Sequence, residues 1–237
     1  MSPSRGLDLT NFLLGLAWLG ELDRHQIKRL WFVDKSQSTV EKTLARLHKD
    51  ELITKRAWSL RDEQREATVP QLVRWSLTPK GLAVVKASDQ CPARPATPRQ
   101  QRLIVHDLRT TEAIVRLIEI GRRSKLSGIY VAHELRLNPE EKRPICDALV
   151  VVQFGTFDQP NLVPWSSDPV SEDEGQLRFA IEADNDSEPL GVIAGKARAY
   201  RRLDEDDAWA AWWMRQHGPL PIPLWGAPSE ARATTIH

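Results

Sequence analysis

The chain has 237 residues, of which 41% are hydrophobic and 27% charged, and its formal net charge is +1. That is enough apolar material for one large or two ordinary cored domains, which excludes wholesale disorder. No apolar run reaches the roughly 18 to 20 residues that cross a bilayer, and the start MSPSRGLDLT lacks the basic head and apolar stretch of a secretory signal. A cytoplasmic protein with no membrane partner is therefore expected. Cys91 and Cys146 have neither C-x-x-C spacing nor histidine companions, which argues against a disulfide framework or a zinc site.

The charge is unevenly placed. Residues 1–86 carry 15 Lys and Arg against 10 Asp and Glu, whereas residues 103–237 carry 15 against 21. The first half suits a polyanion and the second repels one unless a cation intervenes. Between them, residues 87–101 hold three prolines among small and polar residues and read as a semi-extended linker.

In the first half, Leu9, Phe12, Leu13, Leu16 and Leu19 recur at helical spacing. Asp23 can cap a second helix that turns Ile27, Leu30 and Trp31 inward, and residues 34–38 form a polar turn. Ser38 and Thr39 then lead into a third helix with Val40, Leu44, Leu47 and Leu52 on one face and Lys42, Arg46 and Lys49 on the other. Two strand-like runs follow, at residues 52–58 and 73–77, bridged by the polar stretch 59–71. Thr78 and Pro79 open one more short helix.

Three helices followed by a hairpin describe a winged helix-turn-helix, and the phrase LARLHKDELITKR…WSLTPKGLAVV resembles winged-helix DNA-binding domains over about the first 85 residues. In such domains the third helix enters the major groove and the hairpin touches the backbone or the minor groove. The resemblance therefore implies double-stranded DNA as partner, contacted by Ser38, Lys42, Arg46 and Lys49 and by the wing residues Lys55, Arg56, Arg61 and Arg65. The alternative at each position is a charge that merely solvates a surface.

Residues 102–122 read as one long helix with a broad apolar stripe. Strand-like runs at 128–137, 144–152 and 177–184 come next, then a helix over 187–203 and a proline-bearing strand at 220–225, fit for a sheet edge. The fold class expected is thus α+β, a winged helix-turn-helix followed by an αβββαβ domain over residues 102–237. Trp209, Trp212 and Trp213 fall at helical spacing and read as packing. The acidic runs 172–174 and 204–207 read as solvated loops, residues 157–175 as a long insertion, and residues 227–230 as the beginning of a helix. No P-loop, G-x-G-x-x-G or Ser-His-Asp order is present.

Carboxylates sit where burial disfavours them: Asp147 within ICDALVVV, and Glu182 and Asp184 at the close of LRFAIEAD. Buried carboxylates must be paired, protonated or bound to a cation. Residues two apart on a strand face one side, so Glu182 and Asp184 are expected to converge with Asp147 from the neighbouring strand, as oxygen ligands for Mg²⁺ or Mn²⁺. Lys196 and Tyr200, four apart on the next helix, share a face and can point toward them. His106 and Glu134 are further polar neighbours. The alternative is a buried polar network in which Asp147 and Glu182 pair with Arg143, Lys196 or Arg198.

This arrangement is similar to the PD-(D/E)xK nuclease fold. More narrowly, the string HDLRTTEAIVRLIE…HELRL…KRPICDALVVV…FAIEADNDSEPL…KARAY resembles the plasmid replication-relaxation family, over residues 8 to about 225. The resemblance implies a winged helix joined to a nuclease-like domain, a role in plasmid replication or mobilisation, and replication or relaxosome proteins as further partners. It places Asp147 and Glu182 in the metal-binding and catalytic slots, with Lys196 as the electrostatic helper. Two departures stand out: Ile145 and Cys146 separate Pro144 from Asp147, and Asp184 occupies the usual Lys slot. Three functions stay open: a DNA-binding protein with an assisting nuclease-like domain, a non-enzymatic regulator whose second half mediates dimerisation or partner docking, and a metal-dependent DNA endonuclease. A homo-oligomer is compatible with each.

Overall fold

The computed structural model describes residues 7–58, 72–93, 95–96, 104–137, 140, 146–155, 162–167, 175–184, 188–227 and 229–236. It divides into two compact units. The first comprises Met1–Gln101 with Asp158–Ser167, the second Arg102–Phe157 with Asp168–His237.

In the first unit, α1 (Leu9–Leu19) is capped by Asp8, whose carboxylate accepts from Asn11 N at 2.9 Å. A two-residue strand, β1 (Leu22–Asp23), leads directly into α2 (Arg24–Trp31). Asp23 and Gln26 cap α2 reciprocally, each side chain accepting from the other residue's backbone N–H, which satisfies donors that a helix start leaves open. The third helix, α3 (Gln37–Lys49), begins slightly earlier than its sequence suggests, because Ser36 is the capping residue. The hairpin β2 (Ile53–Trp58) and β3 (Leu72–Leu77) follows, then α4 (Pro79–Val85), with Thr78 as cap. The sheet order is β1-β3-β2, antiparallel throughout, so β1 adds an outer strand that sequence reading does not reveal. Phe12, Leu13, Leu16, Ile27, Leu30, Val40, Leu44, Leu47 and Ile53 form a core from which water is excluded. Part of the expected insertion joins it: Val163 and Trp165 are buried within this unit.

The second unit starts with α5 (Ile104–Arg123), followed by β4 (Leu126–Leu135), β5 (Cys146–Phe154) and β6 (Gln176–Ala183). Next come α6 (Leu190–Glu205), α7 (Asp207–His217), β7 (Ile222–Gly226) and α8 (Glu230–Ile236). The sheet runs β4-β5-β6-β7, with antiparallel pairs except for the parallel edge strand β7. The observed order, αβββααβα, contains the expected αβββαβ and adds α7 and α8. The 204–207 run is not a loop. Asp204 and Glu205 close α6, and Asp206 caps α7 by accepting from Ala208 N at 3.0 Å and Trp209 N at 3.2 Å. Leu149, Val151 and Ala180 pack against Tyr200, Leu203, Trp209 and Trp213, while Ala148, Val150 and Val152 are buried in the alternate positions of β5. No helix among the described residues is long and apolar enough to cross a membrane.

Candidate functional site

The candidate residues fall in two groups of side chains, one in each unit. On α3, Ser38, Lys42, Arg46 and Lys49 are exposed, on the side opposite the buried Val40, Leu44 and Leu47. The 3.6-residue period separates the two faces, so burying the apolar stripe presents the cations together. Lys42, Arg46, Lys49 and Lys55 make no ion pair among the described residues, whereas Arg24 and Glu41 pair at the side of the row. His48 fastens the helix end to the hairpin: its Nδ1 lies 3.0 Å from Ile53 O and its ring meets Trp75 edge-on at 5.9 Å.

The wing differs in part from expectation. Lys55 and Arg56 are exposed on β2, but Arg56 Nε stands 4.0 Å from Glu21, which is itself buried beside Arg74 at 3.7 Å. Arg56 is therefore shared between solvent and this internal pair. Arg61 and Arg65 lie outside the described residues.

In the second unit, the carboxylates occupy one end of the sheet. Glu182 is only 1% exposed, and its two oxygens are taken separately: Tyr200 donates to Oε1 at 2.5 Å and Lys196 to Oε2 at 3.0 Å. Lys196 also donates to Glu188 at 3.2 Å. The four-residue spacing on α6 is what brings Lys196 and Tyr200 to the same carboxylate. Asp147 is held from the other side. The β5–β6 ladder ends at Ala148 and Ile181, leaving Ala183 N–H beyond it, and Asp147 Oδ2 accepts that N–H at 2.7 Å. His106 on α5 completes the ring, with Nε2 at 3.0 Å from Asp147 Oδ1 and Nδ1 at 2.9 Å from Ala183 O.

Asp184 departs from the expected convergence. Strand alternation stops at Ala183, and the Asp184 N–H donates to Gly226 O at 2.8 Å. Its carboxylate then accepts from Arg232 Nε on α8 at 2.6 Å, and its carbonyl from Arg109 at 2.7 Å. Arg232 also donates to Glu188 O at 2.6 Å. Glu134 is exposed and has a positive φ of 56°, and Arg198 is exposed as well. Arg143 lies outside the described residues. Sequence reading missed Arg232, whose only signal is one basic residue in a short terminal segment.

The charges follow from this geometry. Burial and the neighbouring charge of Asp147 push Glu182 up to about 7, against the opposing pull of Lys196 and Tyr200. Burial works against the Lys196 ammonium, but Glu182, Asp147 and Glu188 more than offset it and hold the amine protonated well above the ordinary lysine range. Carboxylates outnumber the ammonium, so the ammonium stays charged and the most buried carboxylate tends toward its neutral form. Burial, with Glu182 next to it, likewise raises the thiol of Cys146, and Tyr200 is raised by burial, Cys146 and Glu182.

Such a donor set does not fit the expected Mg²⁺ or Mn²⁺ centre. Among the described residues no three His, Cys, Asp or Glu side chains converge to hold an ion. Mg²⁺ retains several waters when bound, whereas Glu182 is sealed from solvent with each oxygen accepting a hydrogen bond. The Lys196 ammonium stands where a cation is required.

A model of the replication-relaxation family matches residues 16–212. The chain belongs to the replication-relaxation family. The match spans both units, from α1 into α7, and agrees with the family expected from the sequence motifs. No curated protein matches the sequence. Among solved structures, a mutant of Lactococcus lactis ZitR in apo form is 22% identical, with a TM-score of 0.24, covering 46% of this chain and 63% of that one. The chain thus spans less than two thirds of ZitR. Bacillus subtilis PadR in complex with operator DNA is 18% identical, with a TM-score of 0.26, covering 52% of this chain and 70% of that one. Both scores are low, and the family member's architecture rests on its own strand pairing.

Proposed function

We propose that this member of the replication-relaxation family binds duplex DNA through its first unit, acting as a winged helix-turn-helix in the replication or mobilisation of a plasmid or other mobile element. The observation that carries the reading is the row Lys42, Arg46 and Lys49 on α3, exposed opposite the buried stripe that orients it. The helix is long enough to lie in a major groove, and Ser38 stands at its first turn, the end that meets base edges in helix-turn-helix proteins. Long cationic side chains supply phosphate contacts, and an Arg can read a guanine edge bidentately. Lys55 on β2 extends the same chemistry to the wing.

For the second unit, the closed carboxylate cluster supports a non-hydrolytic role on a nuclease-like scaffold. Lys196 and Tyr200 serve Glu182, His106 serves Asp147 and Arg232 serves Asp184, so each acidic group is answered by the protein itself. A mobility-shift assay with duplex fragments of the parent replicon tests the first unit: binding by the wild type and its loss in the Lys42→Ala/Arg46→Ala variant are expected. Incubation of supercoiled plasmid with Mg²⁺ or Mn²⁺ tests the second. Persistent supercoiling is expected, and nicking abolished by Asp147→Ala would assign hydrolysis instead.

A further inference from the structure

The connection between β5 and β6 does not stay with the sheet it serves. Residues 158–167 belong to the first unit, and their described part is built into its core. Val163 is fully buried and Trp165 is 3% exposed. The anchor is Asn11 on α1, a polar residue that is itself 8% exposed. Its Nδ2 donates to Val163 O at 2.7 Å and its Oδ1 accepts from Val163 N at 3.0 Å, so one side chain satisfies both backbone polar groups of Val163, as a neighbouring strand would. Asn11 O accepts from Trp165 Nε1 at 3.3 Å, and the Trp165 ring stacks on Trp18, with centroids 6.2 Å apart at 12°.

The same anchor reaches α2. Asn11 Oδ1 accepts a second hydrogen bond, from Trp31 Nε1 at 2.9 Å, and Trp31 is the last residue of α2, immediately before the turn into α3. Trp31 also meets Phe12 edge-on at 5.1 Å. Gly15 makes the arrangement possible: a Cβ there would lie 2.1 Å from the Trp31 ring and 3.1 Å from Trp165. One buried amide thus ties together the segment from the β5–β6 connection, the helix α1 and the end of α2 that launches the DNA-facing helix.

We propose that residues 162–167 form a positioning strap for the helix-turn-helix, with Asn11 and Trp165 setting the end of α2 and hence the attitude of α3. Asn11, Val163 and Trp165 are buried, unlike the exposed Lys42, Arg46 and Lys49. The strap makes the first unit dependent on chain from beyond the linker and connects it covalently to β5 and β6, the strands that bear Asp147 and Glu182. The positioning role rests on the DNA-binding reading; the mechanical role does not.

Hydrogen exchange and duplex binding of the full chain test both parts. Trp165→Ala removes the stack and a donor, and is expected to speed amide exchange in α1 and α2 by roughly tenfold or more. It is also expected to weaken duplex binding by roughly tenfold while leaving the salt dependence of binding intact, since no phosphate contact is removed. Trp165→Phe keeps an aromatic ring over Trp18 and Gly15 and should recover most of both effects, which also covers the case in which the alanine variant fails to fold. An exchange increase confined to residues 162–167 overturns the strap. Unchanged duplex affinity in a variant whose α1 and α2 exchange faster overturns the positioning role. A wild type that binds no duplex removes the DNA reading and the positioning role with it, and exchange alone then decides whether the strap holds α1 and α2.

Discussion

Replacing Lys196 by Met perturbs the charge cluster at its centre. Methionine keeps much of the length of the side chain but leaves Glu182, 1% exposed, with only Tyr200 to answer its charge. Breaking a buried pair by removing one partner costs about 3–5 kcal/mol, most of it the uncompensated charge. For a chain of this size each kcal/mol shifts Tm by roughly 2–4 °C. The second unit's melting transition in Lys196→Met is therefore expected to fall by roughly 10 °C at pH 8. At pH 5 the loss should be smaller, because Glu182, already pushed up to about 7 and released from the ammonium's opposing pull, is then protonated. What remains at that pH is the loss of the ammonium's hydrogen bonds to a neutral Glu182 and to Glu188, worth about 1.5–3 kcal/mol. Calorimetry resolves the transitions of a two-unit protein separately. Adding Glu182→Gln should recover much of the loss at pH 8, since the two residues touch and their effects are not additive. An equal fall in Tm at pH 5 and pH 8, or a fall under about 2 °C at pH 8, refutes the view that Lys196 is the cluster's resident cation.

The Glu182→Gln variant should also change the pH profile of stability by itself. The folded pKa of about 7 lies above the ordinary 4.5, so its contribution is fully present below pH 4.5 and is lost as pH rises toward 7. The difference between wild type and variant should move by up to about 3 kcal/mol across that window, as read by denaturant melts at fixed pH, and a flat difference contradicts the assignment. In the first unit, Gly81→Ala would place a Cβ 1.9 Å from the backbone oxygen of Leu52. Because that atom is backbone, α4 must shift off the hairpin, at a cost of about 1–3 kcal/mol in urea unfolding, whereas Gly191→Ala, with open space around it, serves as the tolerant control. His106→Ala should release Asp147 from α5 and speed exchange at Ala183 N–H, measured by NMR, while leaving the α3 face and its duplex binding unchanged.

The parts of the fold that were legible in the sequence are those set by local periodicity. The α3 stripe of Val40, Leu44 and Leu47, the cap by Asp23 and the i, i+4 reach of Lys196 and Tyr200 all depend on residues within one or two helical turns. Near-continuous apolar runs marked the strands β4, β5 and β6 but could not say where they stop. Asp184, read as a strand residue facing with Glu182, lies just past the strand and turns to Arg232, 48 residues away. The two-residue β1 is too short to leave a pattern. The strap was illegible for the same reason that it matters: Val163 and Trp165 sit among prolines and acidic residues, and the partner that buries them, Asn11, is 152 residues distant from Val163.

The claim on which the functional account stands is that the cations of α3 neutralise phosphates of duplex DNA. Fluorescence anisotropy of a labelled duplex, titrated with the full chain at a series of salt concentrations, measures it directly. The account predicts that log K falls linearly with log salt, with a slope of about −0.9 for each phosphate engaged, and that the slope becomes shallower by nearly two such steps in Lys42→Ala/Arg46→Ala. A slope near zero in the wild type, or one left unchanged by the double substitution, would contradict it.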